Sequence, residues 1–365
     1  MSPIYDYAIV GAGIAGASIA AELSRNARVL VLEAEALPGY HATGRSAAFW
    51  SETYGGPGVT PLTRASGPWL NEHGFLTQRG KLHIGRANDA TYLTTLESTF
   101  EDTGVMLSRV DPRAMIDGLK PDWSIGLYET SCADIDVAGL HHHYLKQAQR
   151  FGAELRCNAA LANATMNAGV WIIDTGVDSL KAQTLINAAG AWADDIARRC
   201  SVAPLGLTPY RRTMVQARLQ HSVSHPLPLM IALDGSFYVK SEGADRIWLT
   251  PHDESPVAPG DVAPEEADIA LAMARYGNAL EWPVGALERK WAGLRCFAPD
   301  RLPVYGPDPD NPQFFWFAGQ GGFGIQTAPA AAKLASTLLT SEASYPMIAG
   351  LDVNAYRPDR LRRVR

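Results

Sequence analysis

The chain reads as α/β (α+β): a Rossmann-like dinucleotide-binding domain with an inserted β-sheet-rich substrate domain. Three features point there. Residues 4-IYDYAIV-10, 14-IAGASIAAELSR-25 and 28-RVLVLE-33 form a strand, a helix rich in small residues and a second strand, with glycines at the first turn. The end of the chain returns to that style, with an apolar run 314-FFWFAG-319, a glycine loop and the helical stretch 328-APAAAKLASTLL-339. Between them lie short strand-like runs such as 212-RTMVQARL-219, 236-SFYVK-240 and 246-RIWLT-250, separated by Pro and Gly. The expected division is 1–75, 135–203 and 299–365 for the nucleotide-binding part and 76–134 with 204–298 for the substrate part.

Along the chain, 38–60 is rich in Gly, Ser and Thr and reads as a loop. A helix is expected near 91–104, a helix running into a strand over 136–155, and strands over 170–176 and 183–190. The stretch 79-RGKLHIG-85 alternates, placing Leu82 and Ile84 on one side and Lys81 and His83 on a face that is either wet or turned to a pocket.

With 365 residues, 47% of them hydrophobic and a net charge of −6, the chain can bury a large core and offers no basic surface for nucleic acid. The basic tail 360-RLRRVR-365 reads as a solvated terminus. Four scattered cysteines, Cys132, Cys157, Cys200 and Cys296, form no CxxC pair, which favours a reducing compartment. No signal peptide is recognisable, and no apolar run approaches the ~20 residues of a membrane span, so a cytoplasmic location is expected. His141, His142 and His143 fall on different helical faces, unsuited to a shared metal.

The sequence 11-GAGIAG-16 carries GxGxxG between strand and helix, and Glu33 closes the second strand 22 residues beyond Gly11. Gly11 permits the tight turn, Gly13 lets a pyrophosphate approach, and Gly16 lets helix and strand pack closely. The helix start offers N–H groups to phosphate, and Glu33 can accept from ribose hydroxyls. In 38-PGYHATGRSAA-48, Thr43 and Ser46 can cap a helix and Arg45 can face a pyrophosphate.

These blocks, with 186-INAAGAWADDIA-197 and 318-AGQGGFGIQTAPAA-331, run in one order along nearly the whole chain. The arrangement resembles the FAD-dependent amino-acid and amine oxidoreductases, the family of D-amino-acid oxidase, glycine oxidase and sarcosine oxidase. Within it, 204-PLGLTPYRR-212, 236-SFYVK-240 and 291-WAGLR-295 are most similar to the bacterial D-arginine dehydrogenases. The resemblance implies FAD, held non-covalently by Gly11, Gly13, Ile14, Gly16, Glu33, Thr43, Gly44, Arg45, Ser46, Ala48, Gly190, Trp192, Gly322, Gly324 and Ile325. Cys296 follows Arg295 directly, but its spacing does not match the cysteine that binds FAD covalently in some relatives.

The chemistry implied is hydride transfer from an amino acid, of the D series by this likeness, to flavin N5. The resulting imine is hydrolysed to a 2-oxo acid and ammonia. Arg212 and Arg295 would clamp the substrate carboxylate, the task to which a guanidinium fork is suited. Tyr54, on a loop with Gly55 and Gly56, and Tyr238 would line the pocket, with Gly322 and Gln326 approaching from the flavin side. Arg211, adjacent on the same strand, would face away. The chain departs from the D-arginine dehydrogenases twice: Phe49 stands in place of a histidine, and Lys81 aligns with the acidic residue that binds the guanidinium. An acidic or neutral substrate is therefore expected rather than D-arginine. Oxidation of a secondary amine, an N-substituted amino acid or a 2-hydroxy acid is the alternative, and a noncatalytic flavin-binding module is the alternative of another class. Oxygen, a quinone or another acceptor stays open, as does contact with a membrane surface.

Overall fold

The structure is a computed structural model that describes residues 3–224, 226–340 and 345–362. Five strands run parallel in the order Glu154–Arg156, Val29–Leu32, Ile4–Val10, Ser179–Asn187 and Phe314–Ala318. The antiparallel strands Asn163–Asn167, Val170–Asp174 and Val304–Pro307 extend this sheet. It is buried on both faces, as parallel sheets require. Ile9, Val31, Ile186, Phe315 and Phe317 pack toward the helices Ile14–Leu23, Val137–Arg150 and Gly324–Thr340. Their neighbours in sequence, among them Val10, Leu32, Leu185, Phe314 and Trp316, pack on the opposite face with Trp171, Ile173 and Ile196.

A Cβ on Gly16 would collide with the carbonyl oxygen of Gly11 and lie 3.3 Å from Ile9 Cγ2. Glycine is therefore what allows the first helix to sit against the turn. Gly11 itself has φ +100°.

A second, ten-stranded sheet is built mainly on the long antiparallel pair Thr208–Leu219 and Val284–Phe297, continued by Arg246–Thr250, Tyr238–Ser241, Leu229–Ala232, Lys81–Gly85, Ile125–Glu129 and Leu107–Val110. One face packs Leu82, Ile84, Val215, Ala217, Met230, Val239 and Leu249 with the helix Glu266–Ala279. The other face carries Met214, Leu229, Ile231 and Tyr238 toward Ala47 and Phe49.

Several sequence-based expectations change. Lys81–Gly85 is buried throughout, because it lies inside the sheet between Leu229–Ala232 and Ile125–Glu129, so neither face is wet. The last long helix starts at Gly324, leaving Pro329 in its interior rather than near its start. The loop expected over 38–60 contains Phe49–Trp50, paired with Ala133–Ile135 in a small third sheet. The helices Thr60–Glu72 and Glu266–Ala279 were not expected, and both are stabilised by packing that periodicity alone does not reveal. In the basic tail, Arg360 bonds Asp300 and Arg362 pairs with Asp308 and Asp310, so these two are anchored; residues 363–365 lie outside the described residues. Among the described residues, no helix is long and apolar enough to cross a membrane.

Gly16→Ala should lower stability by about 1–3 kcal/mol or more through overpacking. Gly277→Ala, exposed near the end of its helix with nothing within 4 Å of the added methyl, should raise stability by about 0.5–1 kcal/mol. Thermal unfolding of the two variants checks both signs.

Candidate functional site

One continuous cavity runs from the carboxyl ends of the parallel strands to the second sheet. At one end it is lined by Leu32, Glu33 and Ala159; in the middle by Gly11, Gly13, Ile14, Thr43, Arg45, Ser46, Gly190 and Trp192; at the other end by Arg212, Met214, Tyr238, Arg295, Gly322, Gly324 and Ile325. Its position outside the strand ends, where the chain winds to opposite sides of the first strand, is the usual ligand crevice of open α/β sheets.

The glycine turn is tied down by side chains distant in sequence. Glu33 Oε2 accepts from Ala12 N at 2.8 Å, and its Oε1 accepts from Glu35 N at 3.0 Å. Thr43 Oγ1 accepts from Ile14 N at 3.0 Å, so Thr43 supplies a cap to the first helix from a separate loop. His141 Nε2 donates to the Ala12 carbonyl at 2.8 Å. That contact was not legible in the sequence, because it joins two elements 129 residues apart. Gly44 closes the loop through Gly44 N to Gly39 O at 2.8 Å, with no room for a Cβ beside that same oxygen. Gly16, Gly44 and Ala48 support the cavity without being among its lining residues. Arg45 lines it, but its guanidinium is engaged by Asp261 at 2.5 Å and by the Val262 and Ala292 carbonyls.

The far end is set by strand register. Tyr210 pairs with Arg295 and Arg212 with Gly293, so Arg212 and Arg295 emerge on the same face of the long strand pair. Met214 and Tyr238 share that face. Arg211 points the other way, to Glu265 and, at 2.9 Å, to Asp268. Arg212 is buried. Its Nε donates to the Asp253 carbonyl at 2.7 Å and its Nη2 to Glu254 Oε1 at 3.2 Å, while Nη1 is buried with no hydrogen-bond partner. Burial, and then the neighbouring charge of Arg295, draw Arg212 down to about 10, which leaves it cationic at neutral pH.

Tyr238 donates to Met214 Sδ at 3.2 Å, and burial pushes its phenol up to about 12, so it remains a proton donor. His252 is drawn down to about 2 by burial and by both arginines, so it is neutral, and its Nδ1 donates to Gly235 O. Burial likewise pushes the cavity-lining Cys296 thiol up to about 12, so it is protonated and unreactive.

Tyr54 borders this end: a Cβ on Gly322 would strike its hydroxyl and lie 3.2 Å from Arg295 Nη1. Arg295 Cζ lies 5.9 Å from the Tyr54 ring centroid. Phe49 backs both tyrosines, with ring centroids 5.0 Å from Tyr54 and 6.0 Å from Tyr238. Gln326 is buried behind the site, its amide spent on Ser51 N, Tyr54 O and Thr63 Oγ1. Tyr54, Lys81, Phe49 and Gln326 are not among the cavity-lining residues, so Tyr54 reaches this end only through its contact with Gly322 and Arg295. Lys81 turns instead to Glu129, Ser51 and Thr53. Glu33, Glu35 and Asp195 are the acidic lining residues, and the sheet bearing the arginines contributes none.

A dinucleotide carrying a flavin fits this cavity. A Cβ on Gly11 would stand 2.6 Å from Ala188 O, and Gly13 leaves only 3.1 Å to Thr43 Oγ1, so the bare backbone forms the cradle. Glu33 would hold the ribose, the start of the first helix the pyrophosphate, and the start of the helix at Gly324 the flavin end. Thr43→Val would leave the Ile14 N–H without its acceptor and cost about 1–3 kcal/mol. Thermal unfolding and equilibrium dialysis of FAD should both register the loss.

The family model for FAD-dependent oxidoreductases matches residues 6–338. Human mitochondrial dimethylglycine dehydrogenase is 26% identical over 254 residues, an alignment covering 63% of this chain but 29% of that protein. Glycine oxidase from Geobacillus kaustophilus shares the fold with a TM-score of 0.83 and 21% identity, covering 97% of this chain and 98% of that one. The FAD-bound L-α-glycerophosphate oxidase of Mycoplasma pneumoniae does so with a TM-score of 0.82 and 17% identity over 94% of this chain and 97% of that one. With the family model spanning the glycine turn, both sheets and the Gly324 helix, the chain belongs to the FAD-dependent oxidoreductase family.

Proposed function

We propose that the protein oxidises the CH–NH bond of an amino acid, of the D series, to an imine that water hydrolyses to a 2-oxo acid and ammonia. The observation that carries this reading is the pair Arg212 and Arg295 on one face of the cavity, with Arg212 Nη1 buried and unpartnered. A substrate carboxylate answers that unmet donor. When bound, FAD supplies the two-electron acceptor. The arginines hold the carboxylate, Tyr238 lines the cavity beside them, and Tyr54 closes the side next to Gly322. Segments 76–134 and 204–298 are read as the substrate-binding part. The D series is taken from the likeness of Tyr54, Arg212, Tyr238 and Arg295 to the D-arginine dehydrogenase pattern.

Two features favour an acidic or neutral side chain over a cationic one. The arginine-bearing sheet places no carboxylate on the cavity, and the nearby buried carboxylate of Glu129 is already matched by Lys81. A cation would enter a field that is already positive. The likeness to dimethylglycine dehydrogenase favours a second reading, oxidation of an N-alkyl amino acid.

Anaerobic stopped-flow reduction of the bound flavin tests these readings. D-Glutamate, D-aspartate or a neutral D-amino acid should bleach it faster than D-arginine, and the reverse order would refute the substrate assignment. Bleaching by N,N-dimethylglycine alone would select the second reading, and no bleaching by any amine would indicate a noncatalytic flavoprotein. Arg212→Met should weaken binding of a carboxylate ligand about 100-fold, near 3 kcal/mol. In the wild type that affinity should hold through neutral pH and decline as pH rises through about 10, where Arg212 loses its proton.

A further inference from the structure

Lys81 and Glu129 stand directly opposite each other in antiparallel strands, and both are buried. Lys81 Nζ lies 3.1 Å from Glu129 Oε2, donates to Ser51 Oγ at 2.6 Å and also donates to Thr53 Oγ1. An ammonium has three donors, and all three are spent here. Glu129 returns the contacts to the same segment. Its Oε1 accepts from Glu52 N at 2.7 Å, and its Oε2 accepts from Ser51 Oγ at 3.0 Å and Thr53 Oγ1 at 2.5 Å. Each hydroxyl therefore accepts from the lysine and donates to the glutamate, which closes the network. Burial alone would raise the Glu129 carboxyl, but Lys81, the Thr53 hydroxyl and the Glu52 N–H together hold it below the ordinary carboxylate value.

The next residue is Tyr54. Its backbone leaves the network in a set direction: Tyr54 N donates to Ser51 O at 3.2 Å, and Tyr54 O accepts from Gln326 Nε2 at 3.1 Å. Its ring lies between Phe49 and Phe323, 5.0 Å from each, which brings the hydroxyl to Gly322 and Arg295. The two residues that follow, Gly55 and Gly56, take left-handed backbone with φ +101° and +77°.

We propose that Lys81 and Glu129 are positioning residues for Tyr54, setting the substrate end of the cavity through residues 51–53 rather than by presenting charge to the substrate. The proposal rests on the amino-acid-oxidising reading of the site only in that Tyr54 contacts substrate there. It makes the lysine a matter of rate rather than of side-chain preference.

The test uses the FAD-loaded Lys81→Met/Glu129→Gln double variant. Removing both charges avoids stranding a buried carboxylate. Flavin reduction should slow about 100-fold, as for a misplaced contact group, and by the same factor for D-glutamate, a neutral D-amino acid and D-arginine. Tyr54→Phe should add little in that background, although it slows the wild type. A tenfold change in the ratio of D-glutamate to D-arginine rates, or full additivity with Tyr54→Phe, would overturn the proposal. Hydrogen exchange on the wild-type holoenzyme gives a readout independent of turnover and of the double variant's folding. The Glu52 amide should exchange at least ~100-fold more slowly than the amides of Gly55, Gly56 and Gly58, and equal exchange would overturn the proposal. Wild-type flavin that no amino acid reduces, with Glu52 protected, would reject the substrate reading while leaving the clamp on Tyr54 standing.

Discussion

The register in which Thr208–Leu219 pairs with Val284–Phe297 is the constraint on which the arginine-bearing end of the cavity depends. Side chains alternate faces along a strand, so a slip of one residue in either strand would exchange the cavity-facing and helix-facing sets. In the observed register Arg212, Met214 and Arg295 reach the cavity, and Arg211 meets the carboxylates of the helix Glu266–Ala279 and the residue before it. The apolar face, with Val215, Ala217 and Leu249 buried against that helix, holds the register because any slip would expose it. Site chemistry and core packing are thus two sides of one strand pair.

The dinucleotide end depends on close backbone approach instead. Gly16 admits the helix to the turn, and Glu33, Thr43 and His141 then fasten Ala12 and Ile14 from three other elements. Each partner satisfies a backbone group that would otherwise face a buried crevice unpaired, which makes the turn rigid before any ligand arrives. The two ends meet along 43–54, where the loop that caps the first helix continues into the segment bearing Tyr54.

The second sheet puts only positive charge on the cavity. The acidic lining residues Glu33, Glu35 and Asp195 lie outside the second sheet, as do Arg45 and Arg199, while Arg212 and Arg295 belong to it. Around the second sheet the bases are held by specific partners: the Asp253 carbonyl and the Glu254 carboxylate hold Arg212 in place, and the buried Glu129 neutralises Lys81. Arg212 keeps one unmatched donor, so its demand for an anion is local and directional.

Much of this was legible in the sequence, because it is carried by short-range pattern. The glycine spacing and Glu33 identify the dinucleotide turn, since three glycines with an acid at that distance meet a steric requirement that few other residues can satisfy. The opposite facing of Arg211 and Arg212 follows from strand periodicity alone. What only the tertiary structure decided was who meets whom across long separations. Lys81 stands in an alternating strand that could equally well face water, a ligand or a counter-charge. Its burial between two neighbouring strands, with Glu129 across the ladder and Ser51 and Thr53 above, makes it an internal ion pair. Arg45 likewise looks like a phosphate ligand in sequence, yet it finds Asp261 at 2.5 Å from a segment 216 residues away. Local sequence sets which side chains share a face; the choice among partners for a buried charge is made by the elements that fold over it.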